Sequence, residues 1–305
     1  MRTNRTLALG AVVLALVVSA CTPGEGSSPA EDKPTVTVGS AGFYEAQLMG
    51  EIYAQALENA GYTVTRSLGI GTREATLPAI KDRQIDLLPD YIGSLLSQGY
   101  GGTPSGDPAT TVSELQDALD ADGLVALDYT PAQDQNAFVV RQETANQYSL
   151  ETISDLAAVA TDLTWGLPPE CETNPLCAGA LTDSYGIPFD QLQFEPLAAC
   201  DAPIATALND GVVDVAELCS TQPAIEQFNF VVLTDDKQTQ PAENIAPIVT
   251  DEILAAAPDD FETTLNAVSA KMTTEMLTQL GVEVAVQNRS IPEVATEWLQ
   301  TSGLI

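Results

Sequence analysis

Hydrophobic and polar positions along the chain alternate in blocks that predict strands and helices in turn. TVTVGSA (35–41) is β-branched and predicts a strand that ends in small residues. In EAQLMGEIYAQALENAG (45–61), apolar residues recur at the spacing of one helix face. TVTRSLG (63–69), a helix that begins near Thr72, and IDLLPDY (85–91) complete a βαβαβ order. This order predicts a parallel sheet covered by helices.

A second α/β unit begins near Ser154 and repeats the alternation of helix and strand. Its segments in chain order are ISDLAAVA, LTWGLPP, AGALTDSYG, QLQFEPL, PIATALNDG and VVDVAELCS, which predict helix, strand, helix, strand, helix and strand. FVVLTDD and NIAPIVTDEIL follow, and the chain finishes with the predicted helices DDFETTLNAVSAKM, TTEMLTQLG and IPEVATEWLQTSG. We therefore expect an α/β protein with two similar units.

The two units contain a weak internal echo. LPAIKDRQIDLLPDYIGS and ATALNDGVVDVAELCSTQ share a short helix, a tight turn and an Ile/Val-Asp-Leu/Val strand. When Asp86 is aligned with Asp214, Tyr91 falls opposite Cys219. Ligands of open α/β sheets bind at the carboxyl ends of strands, so each unit would deliver a strand end to a shared face. The alternative is that any two βα units look this similar.

The N-terminal segment has the features of an export signal. Arg2 and Arg5 precede an apolar run (7–18) that is too short to span a bilayer. The run ends in VSAC, which resembles the lipobox of bacterial lipoproteins, in which Cys21 would carry the lipid. An ordinary secretory signal with a chance cysteine is the alternative. We expect residues 1–20 to be a signal peptide and residues 21–33, rich in Gly, Ser, Pro and Glu, to be a flexible tether.

Composition excludes several classes of function. The formal net charge is −32, so the chain will not bind nucleic acid through its phosphates. The charge is spread along the whole chain, which favours solubility or salt adaptation as its explanation. The sequence contains no histidine, which excludes His-based triads and His metal ligands. No G-x-x-x-x-G-K-[ST] motif occurs, and GIGTRE lacks the lysine. We expect no metal, no cofactor and no catalysis.

Four cysteines remain after Cys21, and an even number outside the cytoplasm predicts two disulfides. The segment CETNPLC closes a short loop, so Cys171–Cys177 is the natural first pair, which leaves Cys200–Cys219. A zinc site is the alternative, but four thiolates without a C-x-x-C pair do not favour it.

Four segments in order resemble the substrate-binding proteins of osmoprotectant ABC importers, of the glycine betaine, choline and carnitine type. They are TVGSAGFYEAQLMGEIYAQALENAG, GTREATLPAIKDRQIDLLPDYIGSLL, GVVDVAELCSTQPAI and LTDDKQTQPAENIAPIV. The resemblance covers about residues 34–305. It implies a type II periplasmic-binding-protein fold, in which two α/β lobes are joined by two crossing strands and close on a ligand. Lobe 1 would comprise residues 34–135 plus 237–305, and lobe 2 residues 136–236.

The same resemblance implies partners and a location. The chain would be a monomer that delivers a small solute to an ABC permease, with an ATPase subunit on another chain as the source of energy. It would lie outside the cytoplasm and be held to the outer face of the cell membrane only through the lipid on Cys21.

Relatives that bind betaines hold the quaternary ammonium in a cage of tyrosines, because a methylated ammonium cannot donate hydrogen bonds and is bound by aromatic faces. Tyr91 in PDYIGS matches one cage tyrosine of this family. Asp90 stands beside it in place of the family's glutamate, and Ser94 supplies a hydroxyl. Pro89 predicts that the strand ends there, which would direct Tyr91 beyond the sheet.

The other three cage positions of the family fall on Asn136, Cys219 and Glu243. Losing three aromatic faces would remove on the order of 2–6 kcal/mol if each contributes about 0.5–2 kcal/mol. Three alternatives stay open: a more polar solute, a cation bound by Asp90 and Glu243, or an alignment shift that brings Tyr129 or Tyr185 into the cage. The further candidate ligand residues are Ser40, Tyr44, Gln47, Thr221 and Asn244.

Two alternatives to the receptor remain. Paired carboxylates such as Asp90, Asp134 and Glu243 could perform general acid/base catalysis. The loss of cage tyrosines is also compatible with a degenerate, ligand-free sensory or structural lipoprotein.

The predicted bridge between Cys200 and Cys219 can be tested by counting thiols. Mass spectrometry of the non-reduced protein after alkylation should find no alkylated Cys200 or Cys219, because a disulfide blocks both sulfurs. An alkylated Cys219 would contradict the bridge.

Overall fold

The computed structural model describes residues 33–169 and 171–305. The expected signal peptide (1–20), Cys21 and the tether up to residue 32 lie outside the described residues. Lys33, at the end of the expected tether, donates to the Ala60 carbonyl at 2.6 Å and pairs with Asp260. In the part of the chain that the structure describes, no helix is both long enough and apolar enough to cross a membrane.

Ten strands in the described residues form two five-stranded sheets. They are β1 (Thr35–Gly39), β2 (Thr63–Ser67), β3 (Leu87–Tyr91), β4 (Leu124–Ala126), β5 (Asn136–Val140), β6 (Thr164–Leu167), β7 (Gln193–Pro196), β8 (Val215–Cys219), β9 (Val231–Val232) and β10 (Ile245–Thr250). The first sheet has the order β2-β1-β3-β10-β4 and the second has the order β7-β6-β8-β5-β9. The expected α/β architecture with two similar units is therefore confirmed.

The described residues also form twelve α-helices, the last four of which follow β10. They are α1 (Tyr44–Asn59), α2 (Arg73–Lys81), α3 (Ile92–Ser94), α4 (Pro108–Leu119), α5 (Gln142–Tyr148), α6 (Ile153–Ala157), α7 (Ala202–Asn209), α8 (Ala224–Gln227), α9 (Asp251–Ala256), α10 (Asp260–Lys271), α11 (Thr274–Gly281) and α12 (Ile291–Thr301). Leu95–Gly99, Pro175–Ser184 and Val282–Val286 are π-helical. The segment AGALTDSYG, expected as a helix, thus lies largely in a π-helix.

The strands of the predicted βαβαβ unit are parallel, because β1 pairs in parallel with both β2 and β3. β10 runs antiparallel between β3 and β4, and β5 runs antiparallel between β8 and β9. The βα alternation predicts only the parallel strands. The two antiparallel strands follow stretches in which the chain passes from one sheet to the other.

The internal echo corresponds to repeated local structure. The Asp86 N–H donates to the Thr37 carbonyl at 2.8 Å, and the Thr37 N–H donates to the Asp86 carboxylate at 2.7 Å. Asp214 makes the same two hydrogen bonds with Thr164, at 2.7 and 3.1 Å. In each sheet, one aspartate therefore fixes the start of a strand against its parallel neighbour.

The expectation that the third strand ends at Pro89 is wrong. β3 continues to Tyr91, and Pro89 lies opposite Pro247 of β10. β1 pairs with β3 only at Leu87, so no strand opposes Pro89 on that side and its missing N–H costs no ladder hydrogen bond. Tyr91 is consequently the last residue of a paired strand, and its position is fixed by β10.

The buried cores lie on the faces of the two sheets. In α1 the stripe of Leu48, Met49, Ile52 and Tyr53 is fully buried, and it packs with α10 to α12 against the first sheet. In the second sheet, Trp165 and Phe138 form a buried edge-to-face pair with ring centroids 5.9 Å apart. Burial of apolar surface on these faces fixes the strand ends from which the site is built.

The fold leaves no room for a side chain at Gly93. A Cβ there would lie 2.5 Å from the Ala242 carbonyl oxygen and 3.1 Å from Glu243 Oε1. Gly93→Ala should therefore lower the free energy of unfolding by about 1–3 kcal/mol, measured by chemical denaturation. Gly179→Ala is the control, because its Cβ would meet nothing closer than 3.6 Å. Equal losses at both positions would contradict the account.

Candidate functional site

Two neighbouring cavities lie where β3, α1 and the segment before β5 approach the end of β8. The Tyr91 cavity, of about 350 Å³, is lined by Tyr91, Ser94, Asp134, Gln135, Asn136 and Glu243 among others. The disulfide cavity, of about 160 Å³, is lined by Tyr44, Glu45, Asp134, Cys200, Cys219 and Thr221 among others. Asp134 borders both, and the larger cavity falls within the usual range of about 300–1,000 Å³ for small-ligand pockets.

Glu45 is buried in the first turn of α1, with only 3% of its surface exposed. The Tyr91 hydroxyl donates a hydrogen bond to Glu45 Oε1. Burial, together with the neighbouring Asp134, raises the pKa of Glu45 to about 8. The carboxyl group is therefore mostly protonated at neutral pH in the ligand-free protein.

Asp134 lies beside Glu45, on the segment that leads into β5. Its Oδ1 accepts a hydrogen bond from the Thr221 N–H at 3.2 Å, and the Thr221 side chain hydrogen-bonds to both carboxyl groups. Burial raises the pKa of Asp134 as well. Two carboxyl groups in contact with one hydroxyl cannot both ionise without cost, so they titrate as a pair.

Glu243 and Ser94, predicted separately, contact each other directly. The Ser94 N–H and hydroxyl donate to the two oxygens of Glu243, both at 2.9 Å. Burial raises the pKa of Glu243 to about 7, although the bonds from Ser94 and the charge of Arg73 favour its ionised form. Glu243 is therefore a carboxyl group of the Tyr91 cavity that changes charge near neutral pH.

Asp90 differs from these acids because its charge is compensated. Arg73 Nη2 and Nε approach its two carboxylate oxygens at 2.6 and 3.2 Å, and the Tyr91 N–H donates to it at 2.8 Å. Asp90 lines a separate cavity of about 680 Å³, together with Phe43 and Gln98. The carboxyl groups that border the first two cavities are thus Glu45, Asp134 and Glu243.

Ser40 and Gln47 have protein partners and do not line either cavity. The Ser40 hydroxyl accepts from the Gly69 N–H at 2.9 Å, and Gln47 Nε2 donates to the Gly42 carbonyl at 2.8 Å. Both bonds hold the loops on either side of the first strand end. Their role in ligand binding stays a prediction.

Asn136 and Asn244 lie where the two stretches that connect the sheets end, because Asn136 is the first residue of β5 and Asn244 precedes β10. Asn136 borders the Tyr91 cavity and pairs with Cys219 across β5 and β8. Asn244 is buried, and its Nδ2 donates to the Thr130 carbonyl at 2.9 Å. Asn244 lines a different cavity, of about 410 Å³, which Asn136 also borders.

The aromatic surface of the site is larger than the sequence predicted. Phe43 stacks on Tyr91 with ring centroids 6.1 Å apart and an interplanar angle of 19°. Phe43 and Tyr44 both line the disulfide cavity. Tyr129 and Tyr185, considered as replacements for the missing tyrosines, line neither of the two cavities. Phe43 is thus an aromatic residue of this region that the sequence did not predict.

The structure contains both disulfides, with Cα–Cα distances of 5.1 Å for Cys171–Cys177 and 4.9 Å for Cys200–Cys219. Cys200 and Cys219 form part of the wall of the disulfide cavity. The bridge joins the end of β8 to the residues before α7 and restrains the part of the wall that faces Glu45.

Sequence reasoning missed Glu45, although a signal was present. Glu45 lies four residues before Met49 and seven before Ile52, so the helical period places it on the buried stripe of α1. A carboxyl group on a buried stripe without a basic partner at helical spacing indicates a functional site.

Comparison with known proteins finds a matching family and related proteins. A family model described as the substrate-binding domain of ABC-type glycine betaine transport systems matches residues 34–301. The chain is 28% identical to a carnitine transport binding protein of Listeria monocytogenes, over 98% of this chain and 97% of the relative. It is 26% identical to a glycine-betaine-binding protein of Pseudomonas aeruginosa, over 89% of each chain.

A solved structure of a glycine betaine/carnitine/choline ABC transporter protein has the same fold. It superposes with a TM-score of 0.81 and 24% identity, covering 88% of this chain and 99% of the other. The expected type II periplasmic-binding-protein class with two lobes is confirmed. The lobe boundaries at residues 135 and 237 stay a prediction.

Glu45 makes stability depend on pH. Its pKa is about 8 in the folded protein against an ordinary value of 4.5, so the folded state binds more protons between these values. The free energy of unfolding of the ligand-free protein should therefore fall as the pH rises from about 4.5 to about 8. Glu45→Gln should make this slope shallower in denaturation measured across that range. Glu114→Gln, at an exposed position of α4, should leave the slope unchanged. An unchanged slope in Glu45→Gln would contradict the assignment.

Proposed function

We propose a ligand class and partners for this chain. The chain belongs to the family of substrate-binding domains of ABC-type glycine betaine transport systems. It is the solute-binding component of an importer. The ligand that we propose is a small solute of net positive charge, with a methylated ammonium group. It would lie in the Tyr91 and disulfide cavities, at the face where the ends of β3 and β8 meet.

The observation that carries this proposal is the charge of the cavity walls. Glu45, Asp134 and Glu243 line the two cavities, and no Lys or Arg is among the described residues that line them. A carboxylate on the ligand would meet these acids without a cationic partner, whereas a cation would compensate them. The geometry therefore supports a cation such as choline over a zwitterion such as glycine betaine.

The aromatic rings support the same class of ligand. Tyr91, Phe43 and Tyr44 border the site, and each ring that faces a quaternary ammonium contributes about 0.5–2 kcal/mol. The amides of Gln135 and Asn136 offer hydrogen bonds to a polar end of the solute. A more polar, uncharged solute is the second candidate, and these amides are the observation that favours it.

The transport role requires further components on other chains. We propose that the chain acts as a monomer outside the cytoplasm and passes its solute to a permease that is driven by an ATPase subunit. The lipid on Cys21 would hold it to the outer face of the cell membrane. Relatives of this family are solute-binding proteins and not enzymes, so a carboxylate-based enzyme is not supported.

A panel of solutes tests the ligand class. Thermal unfolding is measured with choline, glycine betaine, carnitine and an uncharged polyol at equal concentrations. Choline should stabilise the protein most, by about 2.7 kcal/mol at 100 times its Kd. Micromolar binding of glycine betaine but not of choline would contradict the charge argument. A response to none of the solutes would favour a ligand-free lipoprotein.

Tyr91 should contribute to the affinity for choline through its ring more than through its hydroxyl. Tyr91→Ala is expected to weaken choline binding by about 0.5–2 kcal/mol, or roughly 2- to 30-fold, because one cation–π face is lost. Tyr91→Phe is the matched control, because it retains the ring and removes only the hydroxyl that contacts Glu45. Titration calorimetry measures both. An equal loss in the two variants would place the contribution in the hydroxyl and contradict the aromatic role.

A further inference from the structure

Glu45 and Asp134 form a pair of carboxyl groups that come from different elements and meet in the wall of the disulfide cavity. The two groups lie on different elements, α1 and the segment before β5, and meet at Thr221, which follows β8. Both border the disulfide cavity. A buried acid of this kind must either find a cation or keep a proton.

The other groups around the pair do not supply that cation. Tyr44 and Tyr91 are the titratable neighbours from α1 and β3, and burial and the nearby acids raise the pKa of both phenols, so both stay neutral. Asp90 is the next acid on β3, and it is already paired with Arg73. Among the described residues that line the disulfide cavity, none is Lys or Arg.

We propose that Glu45 and Asp134 determine specificity by exchanging one proton for the positive charge of the ligand. This inference rests on the proposed function, because it requires a cationic solute in the site. In the ligand-free protein, the pair holds one proton. When the cation enters, the carboxyl O–H bond of the pair breaks and the proton passes to the solvent, which leaves a dianionic pair beside the ligand.

The exchange separates two ligands that share the same ammonium group. Choline brings one net positive charge and can replace the proton. Glycine betaine brings a carboxylate as well, so its net charge is zero and its negative end adds to the repulsion from Glu243. The Tyr91 hydroxyl continues to donate to Glu45 in both states. The ring of the same side chain would contact the ammonium group, so Tyr91 would contact both the acid and the ligand.

Proton release determines whether the association constant for choline rises or falls with pH. Where the pair is protonated before binding and ionised after it, the association constant rises with pH by up to about tenfold per pH unit. The rise should extend from about pH 6 and level off above about pH 8, where the pKa of Glu45 lies. Binding of a ligand that does not displace the proton should be nearly independent of pH in this range.

Titration calorimetry on the full mature chain tests the exchange. Choline is titrated at pH 7.0 in two buffers that differ in ionisation enthalpy, and the difference in observed heat gives the number of protons released. Wild-type protein should release about one proton per choline bound. Binding with no release, or with proton uptake, would overturn the inference and leave the cation receptor intact. Failure of choline to bind would overturn the proposed function itself.

Two variants assign the proton to the pair. Glu45→Gln should release less than half as many protons per choline bound as wild type. Its affinity for choline should change little between pH 6 and pH 8. Glu114→Gln, which changes an exposed glutamate of α4, should release as much proton as wild type. Circular dichroism confirms that each variant is folded. Wild-type release in Glu45→Gln would assign the proton to another group and overturn the inference.

Discussion

Glu45 and Asp134 are two buried or partly buried carboxyl groups that meet at one threonine, and the rest of the site is arranged around this constraint. Neither has a cationic partner among the described residues that line its cavity, so the pair is stable only with a proton or with a cation from outside. The fold provides this situation by placing α1 against the end of the second sheet. A protein that gained only stability from this region would place apolar residues there.

The residues around the pair come from both sheets and from the stretches that connect them. The aspartates Asp86 and Asp214 start β3 and β8 in the same way, and the two strands end at Tyr91 and Cys219. The connecting stretches bring Asp134 and Glu243 to the same place. A solute that bridges these groups contacts both sheets at once, which is the physical requirement for coupling binding to closure of the two lobes.

The sequence predicted much of this arrangement from pattern. The βα alternation and the disulfide spacing follow from local rules, whereas the end of β3 at Tyr91 is fixed by its pairing with β10. The antiparallel strands β5 and β10, the Glu45–Tyr91 contact and the Arg73–Asp90 ion pair depend on residues far apart in the chain, so no local period encodes them. The sequence therefore pointed to Asp90, the neighbour of Tyr91 in the chain, whereas the structure places Glu45 against the Tyr91 hydroxyl.

The central claim is that a cation is bound between Tyr91 and the carboxyl pair. A crystal structure of the protein with choline at pH 8 tests it most directly. The account predicts that the ammonium group lies within about 6 Å of the Tyr91 ring centroid and next to Asp134. An ammonium group bound elsewhere, or a choline hydroxyl in contact with Asp134 and the ammonium directed away from Tyr91, would contradict it.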